Sequence, residues 1–274
     1  DNQLGNDEQS FAMAQTGECD IAVGSTSSVA TTYNDLYVYD VPYLFLNKQE
    51  VYDVGFNGET GKAILDGFSE YGLKGLAFWE NGFRNITTTD KDIATVADLS
   101  GLKIRTMANE IHLEAWKAMG ANPTPMAFGE LFTGLQQGTV DGQENPLPTA
   151  DAASIQEVQS YLTYWTGAYD CLFFCMNAEL YNSLSPELQA IVDEAGQAAC
   201  EYERELNRSQ DQEIMDKWAE AGVEITELTP EAAAEFAEAS APVYDEFADE
   251  LTPELIEAFT SVTQADAGTT EPAA

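Results

Sequence analysis

Arginine is scarce in this sequence, and its four side chains are the residues with the most selective chemistry. Arg204 and Arg208 lie among glutamates in a helical stretch, where pairing along the helix surface accounts for both. Arg84 lies in a Gly-Phe-Arg-Asn run, and Arg105 lies near the end of a predicted strand, just before a helix. A guanidinium presents a planar fork that binds a carboxylate through two hydrogen bonds. Arg84 and Arg105 are therefore candidate carboxylate ligands, with pairing to one of the chain's own acids as the alternative for each.

A second group of polar residues lies between residues 136 and 146, where the sequence reads QQGTVDGQENP. Asn145 precedes a proline, which favours an extended backbone at that position. Its amide would then be free to donate a hydrogen bond to a ligand oxygen. A structural turn with Asp141 and Gly142 at its corner explains the same residues equally well.

The elements that must position these residues alternate between short apolar runs and helical stretches, which is typical of an α/β fold. Strands are predicted at residues 20–23, 76–79, 102–107 and 124–127, and one long or two short strands within 161–177. Helices are predicted at residues 110–119 and 130–137. Arg105 would then lie at the carboxyl end of a strand, which is where α/β sheets bind ligands.

The last third of the chain is predicted to be helical. Ser185 before Pro186 is a strong helix start, and apolar residues recur at helical spacing as far as Ala221. This pattern predicts one helix over residues 186–221, long enough to join two lobes; two helices with a break near Ser209 are the alternative. Further helices are predicted to start at Thr229 and Thr252.

The charge of the chain restricts its partners. The chain has 274 residues, and its 48 acidic side chains against 11 Lys and Arg give it a net charge of -37. Nucleic acid and anionic lipid both require basic residues for binding, so neither is expected as a partner. No apolar run approaches the length of a membrane-spanning helix. The chain begins at Asp1 without a signal-peptide pattern, so we expect a processed chain or a fragment.

Catalytic and metal-binding motifs are absent from the sequence. There is one histidine, and the four cysteines form no CxxC pair, so no metal site and no cofactor are predicted. Cys171 and Cys175 share a strand face, which favours buried thiols, with one disulfide among the four cysteines as the alternative. Cys19 with His112 as a nucleophile pair, or hydrolysis by two carboxylates, are the remaining enzyme readings, and no motif supports either. The prediction is that the chain is not an enzyme.

Several ordered segments resemble the solute-binding proteins of tripartite ATP-independent periplasmic (TRAP) transporters, the DctP family. The segments are residues 101–105 (GLKIR), 123–132 (PTPMAFGELF) and 135–146 (LQQGTVDGQENP), supported by 3–5, 20–22, 41–43 and 82–84. The resemblance extends to about Val262. Family members begin further upstream, with a strand and helix before the Gln-Leu-Gly segment, so a chain that started at Asp1 would be expected to lack one strand of the first lobe.

The resemblance implies an α/β fold of the two-lobed, class II periplasmic-binding-protein type, with a long helix spanning both lobes. The solute-binding module would cover residues 1–265. The first lobe would comprise about 1–82 and 172–210, and the second about 83–171 and 211–264. Residues 265–274 would form a frayed tail.

The resemblance also implies individual roles in ligand binding. Arg105 matches the family arginine that pairs with the ligand carboxylate, Asn145 an asparagine that hydrogen-bonds the ligand, and Phe128 an aromatic that packs on it. Arg84 matches a second arginine used by part of the family. Four residues match segments that line the pocket, namely Ser25, Thr26, Trp79 and Asn81, and Tyr169 is a further candidate near a strand end.

The implied function is that of an extracytoplasmic receptor that binds a small organic acid and delivers it to TRAP membrane subunits. Two arginines would suit a C4-dicarboxylate, whereas the Ser/Thr loop and residues 79–81 favour a sugar acid such as a uronate or sialic acid. The receptor is expected to be a monomer, free in a periplasm or held at the outer face of a membrane by a lipid. A binding protein or sensor domain of another transport system is the alternative.

Overall fold

The computed structural model describes residues 4–45, 47, 51–251 and 254–259. Its strands are β1 (Ile21–Ser25), β2 (Leu73–Thr88), β3 (Lys103–Thr106), β4 (Asn122–Pro125), β5 (Gly142–Pro146), β6 (Tyr161–Tyr164), β7 (Tyr169–Asn177) and β8 (Glu224–Glu227). Its α-helices are α1 (Asp7–Thr16), α2 (Glu59–Gly67), α3 (Glu110–Ala118), α4 (Phe128–Gln136), α5 (Leu147–Ala152), α6 (Ala178–Ser183), α7 (Pro186–Arg208), α8 (Asp211–Glu220), α9 (Pro230–Ser240) and α10 (Pro242–Glu246).

Strand β2 belongs to two sheets. Its first part pairs antiparallel with β7, from Leu73 opposite Asn177 to Phe83 opposite Tyr169, and β1 lies on the far side of β7. Its last part, from Arg84 onward, pairs with β5 on one side, and Ile86 to Thr88 pair with β6 on the other. A register shift between Glu80 and Gly82 separates the two parts. One strand therefore connects the two sheets, as a chain crossing between lobes requires.

The second sheet brings three strand ends together. β3 runs parallel to both β4 and β5, so the carboxyl ends of all three lie at one edge of this sheet. β8 pairs parallel with β6 at the other side. This edge is where the sequence placed Arg105, and it faces the junction with the first sheet.

Each sheet has its own hydrophobic core, which confirms the predicted two-lobed α/β fold. The first core contains aromatic residues such as Phe68, Phe78 and Phe173. Two further clusters flank the second sheet, one around Trp116 and Trp165 and the other around Trp218. The predicted lobe boundaries stay a prediction. Val243, Phe247, Leu251 and Phe259, which the boundaries assign to the second lobe, pack in the first core.

The long helix of the prediction is interrupted. α7 ends at Arg208 and α8 begins at Asp211, with Ser209 and Gln210 between them, so the expectation of one helix over 186–221 is wrong. The alternative break near Ser209 is the observed one. α7 packs on β2, where the Cys200 thiol lies 2.9 Å from the Phe78 carbonyl oxygen. α8 buries Ile214 and Trp218 in the second lobe, so the pair of helices still runs along both lobes.

The predicted helix starts are observed where the structure describes them. Ser185 and Thr229 cap α7 and α9 by accepting hydrogen bonds from Leu188 and Ala232. Residues 254–259 are helical, whereas the predicted cap at Thr252 lies outside the described residues, as does the predicted tail 265–274.

Candidate functional site

A cavity of about 540 Å³ lies between the two lobes. Its walls come from the start of α1, the end of β1, the segments after β3 and β4, the end of β5 and the start of β7. Five of the nine predicted site residues line it, namely Ser25, Asn81, Arg105, Phe128 and Asn145. The volume is in the range that suits a small organic ligand.

Arg105 is buried in the cavity wall at the carboxyl end of β3. Its Nε and Nη2 donate to the carbonyl oxygen of Met126, at 2.9 and 2.7 Å. In the part of the chain that the structure describes, Nη1 donates to no residue and no carboxylate lies within ion-pair distance of this guanidinium. Burial, and then the charge of Arg84, lower the pKa of Arg105 to about 10, so it is a cation at neutral pH. The side chain is a fixed, charged donor with one edge unused.

Phe128 opens α4 and lies beside this guanidinium. The Arg105 Cζ lies 5.9 Å from the Phe128 ring centroid, and the ring is 38% exposed. A large aromatic that stays this exposed at a cavity wall offers apolar surface to an occupant.

Arg84, the second predicted arginine, is wholly buried and does not belong to the cavity lining. It forms ion pairs with Glu144 and Asp170. Its Nη2 also donates to the Glu144 carbonyl oxygen at 2.7 Å and to the Asn145 Oδ1 at 3.2 Å. The charge of Glu144 and then that of Asp170 raise the pKa of Arg84, which more than offsets the lowering by burial. The donors of Arg84 are therefore committed to groups of the protein.

Asp170, at the start of β7, joins three candidate site residues. Its Oδ1 accepts from the Ser25 hydroxyl at 2.8 Å, and its Oδ2 accepts from the Asn81 amide at 2.7 Å and from Arg84. Burial raises the pKa of Asp170, although the charge of Arg84 and the Ser25 hydrogen bond oppose the shift. Residues from β1, β2 and β7 are thereby tied together at the junction of the lobes.

Asn145 lies in β5, a strand that sequence reasoning interpreted as a possible turn. It is buried, opposite Asn85 of β2, and its amide donates to the Gln143 side chain. Its Oδ1 accepts from Arg84, so only the remaining amide hydrogen is open toward the cavity. Sequence reasoning missed this strand because all its polar residues are buried by the neighbouring strands and show no alternation.

Asp7 lines the cavity and was not among the predicted residues. It is the first residue of α1, and its Oδ2 accepts from the Ser25 backbone at 3.0 Å and from the Ser28 hydroxyl at 3.5 Å. Its Oδ1 accepts from no residue that the structure describes. Burial raises the pKa of Asp7, whereas its hydrogen bonds and the charge of Arg105 oppose the shift. The only local signal was the Gly-Asn-Asp helix start, which also fits an ordinary cap.

Four predicted site residues do not line the cavity, namely Arg84, Thr26, Trp79 and Tyr169. Thr26 donates to the Cys171 carbonyl oxygen at 3.0 Å. Trp79 packs on Phe174 with ring centroids 4.9 Å apart. Tyr169 is buried with its ring 5.2 Å from that of Phe83, and its hydroxyl has no hydrogen-bond partner among the described residues.

Other kinds of site find no support in the described residues. They contain no group of three potential metal ligands, and none of their helices is long and apolar enough to cross a membrane. All four cysteines are free, and Cys171 and Cys175 are buried as the sequence predicted.

Known proteins resemble this chain over most of its length. A family model described as DctP, bacterial extracellular solute-binding protein, family 7, matches residues 1–251. The 2,3-diketo-L-gulonate-binding periplasmic protein YiaO of Escherichia coli is 37% identical over 227 residues, which are 82% of this chain and 68% of that relative.

Solved structures agree with this assignment. The sugar acid binding protein DctPAm of Advenella mimigardefordensis, in complex with galactonate, has a TM-score of 0.92 at 34% identity, covering 96% of this chain and 85% of that one. A TRAP periplasmic solute-binding protein of Sulfurospirillum deleyianum with bound succinate has a TM-score of 0.90 at 30% identity, covering 95% and 86%. Sequence and fold together show that this chain belongs to the DctP family of bacterial extracellular solute-binding proteins.

Proposed function

We propose that this chain captures a small organic acid in the cavity between its lobes, with the ligand carboxylate bound by Arg105. The observation that carries the proposal is the unused edge of this guanidinium. Nε and one N–H of Nη2 converge on the Met126 carbonyl, so Nη1 and the second N–H of Nη2 keep their donors for a ligand. Those two donors have the spacing that binds a carboxylate in two hydrogen bonds.

The energetics favour an acid over a neutral ligand. Arg105 is a buried cation without a counter-ion among the described residues, so it has lost its hydration and gained no ion pair in return. A ligand carboxylate would supply that ion pair. A neutral analogue would leave the guanidinium unpaired and bind weakly. Diketogulonate, galactonate and succinate, the ligands named for the relatives, share only the carboxylate among their charged groups, which supports this choice of anchor.

The other cavity residues would shape and orient the ligand. Phe128 would pack on its carbon chain beside Arg105, and Asn145 would donate its free amide hydrogen. Ser25 and Asn81 would act through Asp170, which they hold in the cavity wall. Arg84, Thr26, Trp79 and Tyr169 would support the wall from behind.

Delivery to a membrane transporter would follow closure of the lobes on the ligand. β2 passes between the lobes at the register shift near Gly82, where φ is 116°, and we infer that the crossing would bend at this glycine. Closure would give the loaded receptor a shape that TRAP membrane subunits distinguish from the empty one. We infer an extracytoplasmic monomer. It would bind no nucleic acid, because a chain with a net charge of -37 is repelled by phosphates.

A catalytic function is not proposed. The Cys19 thiol contacts the carbonyl oxygens of Ser10 and Ile21, and burial raises its pKa, which disfavours a thiolate. His112 lies instead 3.2 Å from Asp40. The two residues suggested as a nucleophile pair are thus engaged separately.

A thermal-shift screen tests the proposal. The chain would be heated with aldonates, uronates, C4-dicarboxylates, keto acids and amino acids, alone and as Arg105→Ala. An acid at a hundred times its Kd should stabilise the native chain by about 2.7 kcal/mol, and the shift should vanish in the variant. Arg204→Ala is a matched control because Arg204 stacks on Tyr52 outside the cavity. No shift with any acid, or an equal shift in Arg105→Ala, would reject the proposal.

A further inference from the structure

The charges that line the cavity are unevenly balanced for a receptor of acids. Among the lining residues that the structure describes, Arg105 is the one cation. Four carboxylate side chains line the same cavity, namely Asp7, Glu8, Glu130 and Asp170. A ligand with one carboxylate has one cation to meet, and a second carboxylate would have none.

The second arginine does not change this balance. Arg84 already pairs with Glu144 and Asp170, so these three groups together carry a net negative charge. Each of the three guanidinium nitrogens of Arg84 donates a hydrogen bond to an oxygen of Glu144 or Asp170. Recruiting it for a ligand would leave a buried carboxylate unpaired, which is costly.

Asp7 is placed to recognise a hydroxyl group. Its Oδ2 is anchored by the Ser25 backbone and the Ser28 hydroxyl, while its Oδ1 stays open as an acceptor in the cavity. A ligand hydroxyl would donate to Oδ1, whereas a ligand carboxylate has no proton to donate and carries the same charge. Glu8 and Glu130 are exposed at the rim, so solvent screens them more than it screens Asp7.

We propose that the cavity selects hydroxylated monocarboxylates over matched dicarboxylates, and that Asp7 is the specificity-determining residue. This selection rests on the proposed function, since it assumes that Arg105 holds one carboxylate. The ligand class is an aldonate or a uronate, whose hydroxyls meet Asp7 while its carboxylate meets Arg105. A cavity of about 540 Å³ accommodates an acid of this size.

Calorimetric titration with paired ligands tests the selection. Galactonate and galactarate share a carbon skeleton and differ by the replacement of a terminal CH₂OH with a carboxylate; gluconate with glucarate, and erythronate with meso-tartrate, form further pairs. In each pair that binds, the monoacid should bind at least about tenfold more tightly. Equal or tighter binding of the diacids would overturn the selection and leave the proposed function intact. Binding of no acid in either set would overturn both.

Variants of Asp7 test the residue itself. Asp7→Asn keeps an oxygen that accepts from the Ser25 backbone but removes the charge. It should reduce the ratio of monoacid affinity to diacid affinity by at least about tenfold. Glu18→Gln is a matched control because it removes an exposed carboxylate that does not line the cavity, and it should change the affinity ratio by less than about twofold. An unchanged ratio in a folded Asp7→Asn variant, or an equal change in Glu18→Gln, would remove Asp7 from this role.

Discussion

Arg105 donates two hydrogen bonds to one acceptor, the carbonyl oxygen of Met126, at 2.9 and 2.7 Å. This arrangement fixes the plane of the guanidinium without neutralising it, because a carbonyl carries no net charge. The cation is thus oriented before any ligand arrives, and less conformational entropy is lost on binding. Arg84 shows the opposite arrangement, since carboxylates of the protein take its donors.

The buried Arg84 should be essential for stability. Arg84→Met leaves Glu144 and Asp170 buried without a cation, and the free energy of unfolding should fall by about 3–5 kcal/mol. Urea unfolding followed by circular dichroism measures the change. Adding Glu144→Gln and Asp170→Asn to the same chain should recover part of the loss, because no unpaired charge then remains. A loss below about 1 kcal/mol in Arg84→Met would contradict the buried ion-pair network.

Phe128 should matter for binding and little for folding. Its ring is 38% exposed, so Phe128→Ala should change the unfolding free energy by less than about 1 kcal/mol. Loss of its contact with the ligand and with Arg105 should raise the Kd of a bound acid by about three- to tenfold. Tyr202→Ala is the control, because Tyr202 is 69% exposed on α7 and does not line the cavity. Equal Kd values for both variants would show that Phe128 does not touch the ligand.

His112 should make stability depend on pH. Burial alone would lower its pKa, but the contact with Asp40, 3.2 Å away, raises it above 6.5. Folding therefore favours the protonated imidazole, and its contribution is complete below pH 6.5 and is lost as the pH rises through the folded value. As the pH rises above 6.5, the unfolding free energy should decline more steeply for the native chain than for His112→Gln. A variant whose decline matches the native chain would contradict the assignment.

Glu203 should make the unfolding free energy fall as the pH rises through the range below that of His112. It accepts a hydrogen bond from the Glu80 backbone at 3.0 Å, and burial raises its pKa from 4.5 to about 7. A carboxyl whose folded pKa is raised destabilises the native state as it ionises, so stability should fall between pH 4.5 and 7. Glu203→Gln keeps an acceptor for Glu80 and should reduce this fall by about 1–2 kcal/mol, with solvent screening included. The measurement is the same denaturant series, and an unchanged fall would show that Glu203 titrates normally.

The sequence was sufficient for features that depend on local chemistry. Ser185 and Thr229 cap their helices because a hydroxyl before proline suits a helix start in nearly any context. The break at Ser209 was harder, because Leu206 and Ile214 are eight residues apart, a spacing that an uninterrupted helix also places on one face, and periodicity does not detect a local turn.

Features that depend on distant parts of the chain were beyond the same reasoning. Nothing in the sequence near Arg84 indicates that it is paired, and only the fold brings carboxylates 60 and 86 residues away onto it. Asp7 reaches the cavity because α1 packs beside β1, which no residue near it indicates. The resemblance to a known family pointed to Arg105 and Asn145, which line the cavity, and equally to Arg84, which does not.

The position of the carboxylate of a bound acid tests the central claim most directly. A crystal structure of the chain with the acid that gives the largest thermal shift would show it. The account predicts two hydrogen bonds from Nη1 and Nη2 of Arg105 to the ligand carboxylate, with the Met126 contacts kept and Arg84 still on Glu144 and Asp170. A carboxylate bound elsewhere in the cavity, or one paired with Arg84, would contradict it.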